Sequence, residues 1–138
     1  MVDLVVTAAS VAAGSNAVIN RKYNAGGTIT AGMPVYLDTD TNTWKAADCD
    51  ASAATAVAGG IALHGASSGQ PLAVQTSGNI NPGATVTVGE IYVVSGTAGG
   101  IAPEGDLAAG DYVTVLGVGT SASNIALAIH VSGVQVPA

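Results

Sequence analysis

Two histidines, one cysteine and a short acidic run are the side chains of this 138-residue chain whose types could do chemistry. His64 follows an apolar run ending at Leu63, and His130 lies inside another. An imidazole acts as a catalytic base only beside a nucleophile and an orienting acid. Ser and Asp are frequent enough to draw such sets on paper, but no Gly-x-Ser-x-Gly elbow is present. Both histidines therefore read as surface or packing residues. Asp38-Thr39-Asp40-Thr41-Asn42 opens like a calcium loop, with oxygen ligands on alternate positions. The full pattern also needs a Gly and a later Glu, and Thr43 and Cys49 stand in those places. The run reads instead as a polar hairpin turn between Tyr36-Leu37 and Trp44-Lys45. Cys49 is flanked by Asp48 and Asp50, which raise a thiol pKa and so work against reactivity. One cysteine and two distant histidines make no zinc set. Ala98-Gly99-Gly100 lacks the Lys and the helix of a phosphate loop. No catalytic, cofactor-binding or metal-ligating residue is expected, and no cofactor.

The elements that carry these residues follow from composition. The chain has no Phe, one Trp and two Met, so Val, Ala, Ile and Leu carry its apolar side. Val, Ile and Thr favour extended backbone. The 19 Gly fall between short apolar runs, as strand-and-turn structure requires. Three basic residues against nine acidic ones leave a formal charge of −6. That excludes the basic stripe of a nucleic-acid binder. So few charges also imply a surface partly covered by neighbours. Asp3, Ser10, Gly14, Ser15 and Asn16 interrupt the N-terminal apolar residues, so no membrane span or signal peptide is expected there. Folding in a cytoplasm is the expectation.

Strands are expected at Leu4 to Thr7, Val18 to Ile19, Thr28 to Ile29, Pro34 to Asp38, Thr43 to Ala46 and Ala56 to Leu63. More follow at Pro71 to Gln75, Thr85 to Val88, Ile91 to Ser95, Tyr112 to Val118 and Ile125 to Val131. Their spacing is that of a sandwich or barrel. Ala51 to Thr55 and Pro103 to Ala109 could form single helical turns, the latter with Pro103 at its start and Gly110 beyond its end. Four strands open alike, with Gly32, Gly69, Gly89 or Gly110 two residues before an apolar run. Glycine supplies the positive φ of a tight turn at such places.

An internal repeat organises the chain. Gly26-Gly27-Thr28-Ile29-Thr30-Ala31-Gly32 aligns with Gly83-Ala84-Thr85-Val86-Thr87-Val88-Gly89, an offset of 57 by subtraction. Gly60-Ile61-Ala62 aligns with Gly117-Val118-Gly119 at the same offset. Leu72 to Gly78 aligns with Leu127 to Gly133 at an offset of 55. Two copies, residues 26–78 and 83–133, would bury their apolar faces against each other in one all-β domain spanning 25–138. The expectation is a compact β-barrel or sandwich of about 8 to 10 short strands, by the strand spacing above. Residues 1–24 stand apart. They are either a strand with a loose connection or an arm whose Val2, Leu4, Val5 and Val6 pair with a neighbouring subunit.

Three stretches carry a family resemblance. They are Ala25 to Asp38, Ala58 to Leu63 and Ser68 to Gly78, and Gly99 to Pro103 and Gly110 to Gly117 fit the same pattern. Together they resemble tailed-phage capsid decoration proteins, also called cement or head-stabilising proteins, over roughly residues 4–133. The resemblance implies tulip-like β subunits that form homotrimers on the outer surface of the virion's capsid. They bind the major capsid protein and clamp the lattice against internal pressure. An N-terminal arm often reaches a neighbour. No catalytic residue comes with the family. Other readings stay open: a carbohydrate-binding or host-adhesion module with exposed Trp44 and Tyr112, a small hydrolase or metal-dependent enzyme with a histidine in a cleft, or a spike or tail component.

Overall fold

A computed structural model describes residues 3–137 of the chain. Eleven strands form among them: β1 (Val11–Ala13), β2 (Val18–Asn20), β3 (Asn24–Ala25), β4 (Pro34–Asp38), β5 (Thr43–Ala46), β6 (Ala58–Ala62), β7 (Val74–Pro82), β8 (Ile91–Val94), β9 (Ile101–Pro103), β10 (Tyr112–Gly119) and β11 (Ile125–Gln135). Only two short 3-10 turns accompany them, Ala8–Ser10 and Glu104–Asp106. No helix of the described residues is long and apolar enough to cross a membrane. The fold is all-β. Its strands run in the order β3-β5-β4-β6-β7-β11-β10-β8-β9, with β1 and β2 also paired to β7. The path ends at β3 and β9 without closing, so the arrangement is sandwich-like rather than a closed barrel.

The order is the same read from either end. Strands β5-β4-β6-β7 correspond to β9-β8-β10-β11 about the central β7·β11 pair. Register carries the correspondence to single residues. Pro34↔Ile61, Val35↔Gly60 and Tyr36↔Ala58 in the first unit answer to Ile91↔Val118, Tyr92↔Gly117 and Val93↔Val115 in the second. Each position lies 57 residues on, and both ladders carry a bulge at the same step. The β4·β5 pairs Val35↔Ala46, Tyr36↔Lys45 and Leu37↔Trp44 recur as Tyr92↔Pro103, Val93↔Ala102 and Val94↔Ile101. Turn geometry repeats too. Gly32, Gly69, Gly89 and Gly110 have φ of +89°, +87°, +83° and +90°, the left-handed conformation expected where a strand opens on glycine.

The third sequence match is overturned. Ile61↔Gln75 and Ala62↔Val74 recur as Val118↔Ala126 and Gly119↔Ile125, so Val74 answers to Ile125, 51 residues on, and not to Ile129. The difference lies in one connection. Residues 63–73 join β6 to β7, whereas 120–124 join β10 to β11. The first connection has six residues more. Fully buried Val74 and Ile125 fix the true register, because a side chain's face in a strand is decided by pairing parity.

Burial explains why the first unit keeps the longer connection. Its front face carries Val35, Trp44, Ala62 and Val74, which cluster with Ala25, Ile29, Ala66 and Leu72. Ala66 and Leu72 belong to the 63–73 connection, so that loop is the lid over this face. The back face of the same unit, with Ala58 and Ile61, joins Tyr92, Val94, Ile101, Leu116, Ile125 and Leu127 of the second unit in one cluster. The back of the first unit therefore lies on the front of the second. Fully burying one such Ile or Leu contributes about 1.5–3 kcal/mol, so this shared cluster holds the units together alongside the β7·β11 ladder.

Local readings of the chain differ from the fold at several places. Residues 4–7 and 28–29 form no strand, and Asn24–Ala25 and Ile101–Pro103 form strands that were not expected. Strand β7 runs from Val74 to Pro82, through Thr76-Ser77-Gly78-Asn79, where turn-forming residues argue against a strand. It persists because β11, β1 and β2 all pair with it, and Gly78 takes a φ of +90° within it. Residues Thr85–Val88 form no strand and hold only single bonds such as Val86 N–H to the Ala122 carbonyl. Ala51–Thr55 is a turn closed by Ser52 and Thr55 rather than a helical turn. At the Glu104–Asp106 turn Pro103 sits outside, at the cap.

Candidate functional site

Apart from His130, the residues singled out for chemistry are taken up by structural bonding or packing. His64 accepts the Ala73 N–H at Nε2 (3.0 Å) and donates from Nδ1 to the Gly65 carbonyl (2.9 Å). Those bonds require the neutral Nδ1–H tautomer and tie the two ends of the 63–73 lid together. His130 is exposed on β11 opposite Val115. Neither imidazole has the bonded acid and nucleophile of a triad.

The Asp38–Asn42 run is the hairpin turn between β4 and β5. Asp38 Oδ1 accepts the Asp40 N–H (3.0 Å), and Asn42, at a φ of +54°, donates its N–H to the Asp38 carbonyl (2.7 Å). Lys45 Nζ lies 2.6 Å from Asp38 Oδ2. That hydrogen-bonded ammonium lowers the Asp38 pKa and raises its own. The carboxylate a cation would need already has a counter-charge. Among the described residues no group of three or more His, Cys, Asp or Glu side chains is arranged to hold a metal ion.

Cys49 is fully buried, and its pKa is pushed up to about 12. Burial is the largest cause, followed by the charges of Asp111, Asp50 and Asp48. The flanking acids were legible in the sequence, whereas Asp111 was not, because it arrives from the loop before β10. Asp50 is itself raised, first by its hydrogen bond to Asp48 and then by that neighbour's charge. The thiol is a packing residue in the shared core.

The aromatic residues follow the same rule. Trp44 is buried under the lid, with Tyr23 edge-on at 6.2 Å and Gly59 leaving room for its ring. It cannot offer a stacking platform to a sugar. Tyr92 is buried, and its hydroxyl accepts the Thr87 N–H (2.9 Å). Tyr112 is half-buried at the start of β10.

Of the N-terminal residues expected to reach a neighbour, Val2 lies outside the described residues. Leu4 packs against the shared core, and its N–H donates to the Ile101 carbonyl (2.8 Å). Gly26 makes the matching bond to the Trp44 carbonyl (2.7 Å) in the first unit, so Leu4 stands on β9 where Gly26 stands on β5. Asp3 hydrogen-bonds the buried Ser95 hydroxyl. Nothing in the sequence pairs residues so far apart. Val6 packs against Gly32, and Val5 is 88% exposed. This segment is thus bound to its own chain through Asp3, Leu4 and Val6, with Val5 presented outward.

Comparison with protein-family models, curated proteins and solved structures finds no match. The arrangement has backbone edges, small apolar faces and turns to offer a partner, and no assembled reactive group among the described residues.

Proposed function

We propose that the chain is a structural subunit that decorates the outer surface of a tailed-phage head, binding the major capsid protein as a homotrimer and stabilising the lattice. The observation that carries this reading is where the family-like residues fall. Ala25 to Asp38, Ala58 to Leu63 and Gly110 to Gly117 are the turns and strands of the repeated unit itself. A clamp needs rigidity and many modest contacts multiplied by symmetry, and it needs no reactive side chain. The −6 charge suits a role on an exterior and disfavours contact with packaged nucleic acid. Burial of Trp44 weighs against the glycan-binding alternative. The test is co-sedimentation of purified protein with undecorated heads. Saturable binding at a fixed number of copies per head is expected, and absence of binding at micromolar protein would end the proposal.

A further inference from the structure

The repeat leaves one face without its counterpart. The back of the first unit is covered by the second, so Ile61 is 0% exposed; Ala31, in the turn beside it and next to the N-terminal segment, is 7% exposed. Their equivalents on the second unit are Val118, 40% exposed, and Val88, 67% exposed. Ile91↔Val118 and Val118↔Ala126 are directly opposed pairs, so these side chains form one row across β8, β10 and β11. The row carries no charge. It is the same row, in the same register, that the first unit uses to lie on an apolar sheet.

We propose that Val88, Ile91, Val118 and Ala126 form the surface through which this chain meets a second copy of itself. The inference rests on the self-association named above and supplies its face. Two considerations select a second copy. The equivalent face is already a sheet-on-sheet interface within the chain, and because both front faces of a second copy are themselves covered, the row meets the same row of that copy. Charge points the same way. Copies carrying −6 repel over most of their surfaces, and a charge-free row lets them approach without burying an unpaired charge.

Sedimentation velocity on the full chain tests this without heads present. The wild type is expected to sediment as a discrete oligomer. The double variant Val88→Asp/Val118→Asp is expected to sediment as a monomer, with its dissociation constant raised on the order of 100-fold or more. Val88→Thr/Val118→Thr keeps strand-forming side chains and guards against misfolding; it should weaken association with an unchanged circular dichroism spectrum. Val134→Asp, at an exposed site on the far end of β11 from the row, should leave association intact. A monomeric wild type overturns the inference, as does an Asp variant that still assembles. If the wild type assembles through this row yet binds no heads, the inference stands and the decoration reading fails.

Discussion

At the level of single residues, the close approaches in the two units make the sharpest demands. A Cβ on Gly60 would collide with the Gln75 carbonyl, and one on Gly117 with the Ala126 carbonyl. These are equivalent places, and backbone rather than a flexible side chain would have to yield. Gly60→Ala and Gly117→Ala should each destabilise by roughly 1–3 kcal/mol. Gly105→Ala, with open space around it, should leave the melting temperature within a degree or so. Equal melting temperatures for all three would contradict the register. Cys49 yields a second expectation. The buried thiol should resist alkylation in the native protein at pH 8 and react on unfolding. Its folded pKa lies above the unfolded value, so the folded state holds the proton longer. Its stabilising contribution is complete below about pH 9 and falls as pH rises toward 12. Rapid labelling of the folded protein would show that the site opens.

At the level of elements, the N-terminal segment is the main test. Residues 3–7 fill the edge of β9 through Leu4, while β1 and β2 cover β7. Deleting residues 1–7 should therefore lower stability and speed hydrogen exchange in β9, while β4 and β5 stay protected. Unchanged exchange in β9 would mean that the segment contributes nothing there. Sequence was most informative where one local rule decides the outcome. Pro34–Asp38 and Thr43–Ala46 were legible to the residue because alternation and a polar turn act together. The four turn glycines were legible because positive φ leaves few alternatives. Strand β7 was not, since its middle residues favour turns and only pairing with distant strands holds them extended. The offset at β11 was misread because Leu-Ala-x-x-x-Ser-Gly recurs by composition, whereas register is set by which residues reach the core. In the site, the Asp38 turn and the inert Cys49 could be read from neighbours in sequence. The Asp3–Ser95 contact could not, having no local signal.

At the level of the whole molecule, the two units stack front to back instead of face to face. One consequence is a closed end, where the 63–73 lid seals Trp44, and an open end at Val88 and Val118. Such polarity suits association of copies through the open end, because the other end is already finished. The central claim is that this chain stabilises a phage head from outside, and the thermal stability of purified heads tests it most directly. With saturating protein, the temperature at which heads lose their DNA should rise, and the increase should level off once binding saturates. Heads that lose DNA at the same temperature with and without the protein would contradict the account.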